Sequence, residues 1–222
     1  MPAACTLPRG ELLVESQYFQ NASAVGGTAL AAYPLFRLRS GATSRLELLL
    51  DSPSQVAQSG VGGAGLYLRT NPGLGVNYAL VGAGRLSLTA GAEVQPPVDR
   101  YSPDCGQQPK YTLHFAGLYQ VDSTFALTGF VGASTSRRVG VTRDFPGASV
   151  GAKIHADQQT DVSIDVGSRF IARLAHPQSF GDISVERLFG KRIAVDVGLG
   201  TSFNPVIDTK SHYLAAGVNF RL

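Results

Sequence analysis

The chain of 222 residues has no tryptophan, one methionine and two cysteines, and only 16% of its residues are charged. A typical soluble domain carries about 25% charged residues. Low charge is ordinary for a helical membrane protein, but the longest apolar runs here are a handful of residues, far below the about 20 that a spanning helix needs. A disordered chain would combine few apolar residues with high net charge, whereas this one is 44% hydrophobic with a formal charge of +3. The basic residues are scattered, with Arg137-Arg138 and Lys191-Arg192 as the only adjacent pairs, so the clustered stripe expected of a nucleic-acid binder is missing. Cys5 and Cys105 make no disulfide framework. The strand order below places them near opposite ends of the molecule, so they are not expected to pair with each other. Pro2-Ala3-Ala4-Cys5 faintly resembles the end of a lipoprotein signal, but no apolar segment precedes it, and an export signal is not legible.

Site motifs are equally scarce. His114, His155, His176 and His212 fall on four different segments without metal-ligand spacing, and no Gly-Lys-Ser/Thr follows the glycines from Gly60 to Gly65. Neither a metal centre, a phosphate loop nor a catalytic constellation is expected. The reading is therefore not an enzyme, with no cofactor.

Glycine is abundant, at 26 residues, and so is alternation. Residues 35–51, LFRLRSGATSRLELLLD, break at Ser40-Gly41-Ala42-Thr43, a polar glycine-containing hairpin signal. Beyond it Leu46, Leu48 and Leu50 alternate with Arg45, Glu47 and Leu49. Successive side chains of a strand point to opposite faces, so the segment has one apolar face and one charged face. The pattern recurs to the end. Leu86, Leu88, Ala90, Ala92 and Val94 oppose Arg85, Ser87, Thr89, Gly91 and Glu93, and Val195, Val197 and Leu199 oppose Asp196, Gly198 and Gly200. A mean hydropathy near zero is the average that such two-faced strands give.

About twelve strands are counted. Tight breaks near residues 40, 83, 122, 159 and 191 alternate with longer ones near 24, 62, 103, 142, 177 and 207. Residues 52–72 read as a long outer loop holding a short strand, 96–109 as a proline-rich loop and 137–147 as a charged loop. Pro34 predicts a bulge or break within the second strand. Even strand number with alternating short and long connections is the pattern of an antiparallel transmembrane β-barrel with short periplasmic turns and longer outer loops. Residues 1–9 are read as an N-terminal extension and 10–222 as one barrel domain. Tyr18, Tyr33, Tyr78, Tyr111, Tyr119, Tyr213, Phe125 and Phe189 lie near strand ends, where an interfacial aromatic girdle would sit.

The stretch LRSGATSRLEL, residues 38–48, resembles the hallmark hairpin of outer-membrane transporters of the MetA-pathway phenol-degradation family. Gly91-Ala92-Glu93-Val94-Gln95-Pro96-Pro97 is similar to the strand end before that family's proline-containing loop. The resemblance implies a barrel of about twelve strands in the outer membrane that passes small, often hydrophobic compounds, and it carries over no catalytic residues.

On the barrel reading the lumen is lined by Glu15, Gln17, Arg37, Arg45, Glu47, Arg85, Glu93, Lys153, Asp165, Arg169, Asp182, Glu186, Asp196 and Arg221. These charges either brace the wall as paired ions or tune the passage of a solute. The expected function is a bacterial outer-membrane channel for small, hydrophobic or aromatic, molecules. A non-conducting barrel that anchors or scaffolds is the alternative. A soluble lipocalin-like binding barrel, with every face reversed, is a third. The expected partners are outer-membrane lipid, a small-molecule solute and the barrel-assembly machinery, which would read the last strand from Ser211 to Leu222; nucleic acid is not among them.

Overall fold

The computed structural model describes residues 6–23, 29–52, 55–59, 65–68, 72–96, 109–138, 141–170, 177–204 and 209–222. Cys5 and Cys105 lie outside these residues, as do residues 97–108 of the loop expected at 96–109. The first strands are β1 (Leu12–Ser23), β2 (Ala29–Gly41), β3 (Leu46–Asp51), β4 (Gln55–Ser59), β5 (Gly65–Leu68), β6 (Gly73–Ala83) and β7 (Leu86–Gln95). They are followed by β8 (Lys110–Gln120), β9 (Phe125–Arg138), β10 (Val141–His155), β11 (Thr160–Phe170), β12 (Pro177–Phe189), β13 (Ile193–Asn204) and β14 (Thr209–Arg221). All pairings are antiparallel, and β1 meets β14 from Leu13↔Arg221 to Ser23↔Ser211, which closes the sheet.

The strand segments outnumber the staves of the barrel. β3 and β4 both pair with β2, on its second and first halves respectively, and β6 and β5 pair with β3 and β4 in the same order. Each couple is one interrupted stave, so the barrel has twelve. Residues 52–72 are therefore not a loop on one side: β4 and β5 are the upper halves of two staves. The short strand expected within 52–72 is β5; β4 went unread because QVAQS is short and rich in small polar residues. The interruption has a chemical cause. Pro34 of β2, between the part paired with β3 and the part paired with β4, lacks the N–H that a ladder needs. On the other flank of β2 the register with β1 shifts between Gln17 and Phe19, the irregularity expected at Pro34.

Within the charged loop expected at 137–147, residues 137–138 and 141–147 are instead strand. β9 and β10 pair from Val141↔Arg138 down to Ile154↔Phe125. Neighbouring strands leave this hairpin earlier: β8 stops at Thr135 and β11 at Gly147. The outermost pairs thus stand beyond the wall, where neither face must meet hydrocarbon and Arg143 and Asp144 are tolerated.

The burial pattern is inside-out relative to a soluble protein. Among the fully buried side chains are Glu47, Asn77, Thr89 and Ser202, while Leu86, Ile164 and Val197 are 37%, 44% and 47% exposed. The soluble reading, which needs these apolar residues sealed together inside, is overturned. An apolar exterior of this extent is stable only against hydrocarbon, and the fold is a transmembrane barrel. Tyr78, Tyr111, Tyr119 and Phe189 lie on the exposed outer surface, in keeping with a girdle. Tyr213 does not: its ring faces the interior, and its hydroxyl donates to Asp182 Oδ2 at 2.7 Å.

Turns at 42–45, 84–85, 121–124, 156–159 and 190–192 share one end with both chain ends, where the Leu12 amide donates to the Leu222 carbonyl. Gly84 and Gly190 adopt φ of 73° and 69°, a left-handed conformation that side chains disfavour. Inward glycines do something different. Directly across the ladder from Gly91, Gly151, Gly167, Gly200 and Gly217 stand His114, Asp165, Phe180, Tyr213 and Asp196, each lying over the place a Cβ would take. Replacing Gly200 by Val drives a branched side chain into the Tyr213 ring. It should lower stability by about 1–3 kcal/mol, the range for overpacking, read as a lower unfolding midpoint in detergent; the outward Gly129→Val, facing open space, should change little.

Candidate functional site: the charged lumen

Glu47 and Arg39 anchor one half of the interior. The hairpin β2–β3 puts them close together on the inner face, two residues off direct opposition. Arg39 donates through Nε to Glu47 Oε1 at 3.0 Å and through Nη2 to Oε2 at 2.8 Å. Its Nη1 reaches Glu15 Oε1 on β1 at 3.2 Å. Asn77 of β6 donates to Glu47 Oε1 at 2.9 Å, and the Leu7 amide donates to Oε2 at 2.9 Å. Four donors thus saturate a fully buried carboxylate, the condition for keeping such a charge. The network also settles orientations. Glu47 is acceptor-only, so Asn77 turns its NH2 to it and its oxygen to His114 Nε2, 3.1 Å away, which places the imidazole proton on that nitrogen. His114 is buried, with its ring 6.0 Å from that of Phe130.

Leu7 and Pro8 precede β1, and they lie inside the barrel rather than beside it, against Glu47 and Gly41. Gly41 faces inward, and a Cβ on it would overlap the Pro8 carbonyl. The Gly10 amide donates to the Gly41 carbonyl at 2.8 Å, and the Gly41 amide to the Glu11 carbonyl at 3.0 Å. Further along β2, Arg37 grips Asp51 through Nε at 2.5 Å and Nη2 at 2.8 Å, with Glu93 at 3.9 Å.

The opposite wall is acidic. Register sets Asp165 of β11 against Asp182 of β12, and Glu186 of β12 against both Asp161 of β11 and Asp196 of β13. Neutral donors serve them: Thr128 Oγ1 to Asp165 at 3.2 Å and Asn219 Nδ2 to Asp196 at 3.4 Å, beside the Tyr213–Asp182 bond. At the short-turn mouth Lys153 Nζ lies 2.6 Å from Asp161, and His155 Nδ1 is 2.5 Å from the same carboxylate. Here a cavity of about 620 Å³ is bounded by His155, Asp157, Asp161, Glu186 and Leu188 among others. Asp157, in the turn and outside the spanning strands, accepts from the Gln159 amide and the Thr160 hydroxyl, which hold its carboxyl below the usual range.

Of the residues expected in the lumen, Glu15, Arg37, Glu47, Glu93, Lys153, Asp165, Asp182, Glu186 and Asp196 lie at inward positions. Arg45 and Arg85 do not belong to the strand ladder. Both are exposed in turns at the rim, where strand parity no longer says which way a side chain points. Arg221 is also at the rim, bound to Glu11, and Arg169 lies outside the described side chains. Sequence reasoning missed Arg39, Asp51, Asn77 and Asp161 as interior partners. Arg39 and Asp51 share parity with Arg37 and Glu47, a signal that was present. Asn77 carried none beyond its place on the polar face of β6.

No protein-family profile and no curated protein matches the sequence. Solved structures do match in fold. An outer-membrane channel from Pseudomonas putida F1 superposes with a TM-score of 0.75 at 17% identity, covering 100% of this chain and 99% of the other. The porin NanC gives 0.62 at 8% identity, over 93% of this chain and 100% of its own. The monoaromatic hydrocarbon channel CymD gives 0.51 at 11%, over 97% and 88%. At these identities the likeness is one of fold.

Proposed function

We propose that the protein is a bacterial outer-membrane channel that lets small molecules cross through the barrel. The observation that carries this reading is the reversed polarity: ionised groups inside, hydrocarbon-compatible side chains outside. Charged interiors are what solute-conducting barrels present to water, and the superposing structures include porins and channels. Short turns and both chain ends then face the periplasm. The finer reading, small hydrophobic or aromatic solutes, draws on the hairpin at residues 38–48 and on the likeness to a monoaromatic hydrocarbon channel. The inward charges combine both expected duties: the Arg39–Glu47 half braces the wall, and the acidic half remains for solute.

A second reading, a closed barrel serving as anchor, is favoured by Leu7 and Pro8 inside the lumen. Single-channel recording in planar bilayers separates the two. Discrete, reproducible conductance steps from the purified, heat-modifiable protein are expected; a folded protein that inserts and stays silent at every voltage favours the anchor.

A further inference from the structure

The two halves of the lumen differ in a way that goes beyond a generic charged interior. On the β1–β8 half, Arg37 and Arg39 stand among Asp51, Glu93, Glu15 and Glu47, so each cation is shared by two carboxylates and the acidic charge is partly offset. On the β11–β13 wall, like charges stand directly opposite each other, Asp165 to Asp182 and Glu186 to Asp196. Such pairs are destabilising in a sheet. Among the described residues, no ammonium or guanidinium group lies within salt-bridge distance of these four carboxylates. Lys153, on the neighbouring β10, is engaged with Asp161. Arg169 stands at the far end of β11.

Geometry supplies a second, independent asymmetry. Along β10–β14 the large inward side chains are laid flat against the wall over glycines. Asp165 covers Gly151, Phe180 covers Gly167, Asp196 covers Gly217, and Tyr213 crosses Gly200 to reach Asp182. On the other half His114 lies over Gly91 in the same way, but Arg39 and Asn77 reach from strand to strand to meet Glu15 and Glu47, and the Leu7 amide joins them. One side of the barrel is crossed by bridging side chains and partly offset in charge; on the other the side chains lie flat, and among the described residues no cation pairs with these four acids.

We propose that solutes travel off-centre, along the β11–β14 wall, and that this lane favours cations over anions. The inference rests on the channel reading and adds its substrate charge and route. Carboxylates lining a narrow low-dielectric passage raise the local concentration of cations, the device by which acidic rings select cations in pores.

The test is the reversal potential of single channels under a KCl gradient, with the intact chain. Wild type should favour K+ over Cl− several-fold, and D165N/D182N/E186Q/D196N should keep its conductance steps while that ratio falls toward one. For the route, cysteines are placed at Ser184 on the lane and Thr112 on β8, in a C5S/C105S background. Both changes are small and leave the networks above untouched. A cationic methanethiosulfonate added to the bath should block current at Ser184→Cys faster than its anionic counterpart, with little effect at Thr112→Cys. Conductance without K+ preference, or equal block at both positions, overturns the lane while the channel reading stands. Silence of the folded wild-type protein overturns both.

Discussion

Alanine in place of Glu47 should destabilise the barrel by about 3–5 kcal/mol, the usual loss when one member of a buried ion pair is removed. The change strips four hydrogen bonds from a side chain with no exposed surface. Arg39 keeps Glu15 at 3.2 Å but loses its bidentate partner, and both the Asn77 amide and the Leu7 N–H lose their acceptor. Glu47→Gln should fall between wild type and alanine, because one amide oxygen can still accept while the NH2 opposes a donor. Equilibrium urea unfolding in lipid vesicles reads the ordering. A Glu47→Ala barrel with an unchanged midpoint would mean that the carboxylate is not a brace.

The second large effect tests which face meets lipid. Val197 and Asp196 are neighbours on β13, one outward and one inward. Arginine at a lipid-facing position near the bilayer midplane costs about 2–4 kcal/mol, so Val197→Arg should lower the unfolding midpoint in vesicles by a corresponding amount. Asp196→Arg places the same group opposite Glu186, beside a wall short of cations, and should be tolerated much better. Equal tolerance at the two sites would contradict the assigned faces.

The parity of apolar residues made most of the barrel legible. Strands β6 to β14 are bounded by polar breaks, and their outward residues were readable because hydrocarbon imposes the same demand on every stave. Legibility failed where that demand lapses. The outer pairs of β9 and β10 lie beyond the neighbouring strands, so their charges mimicked a loop. At β4 the strand is short and its small polar residues hide the alternation. Arg45 and Arg85 sit where the strand has already turned. The interior partnerships were legible only in part, because parity gives a side chain's face and not its neighbour. That Arg39 meets Glu47, or that Asn77 bridges Glu47 to His114, depends on register across strands distant in sequence. Tyr213 shows the converse limit: an aromatic near a strand end looks the same whether it anchors in the interface or spans a glycine to reach Asp182.

The seam between β1 and β14 has a kinetic corollary. It joins residues near the beginning of the chain to residues near its end, the largest separation available. Contacts of that kind repay their loop entropy only once everything between them is in order. Zipping of the cylinder must therefore be the concluding event of maturation, and until then two unpaired margins need shelter from each other and from other chains.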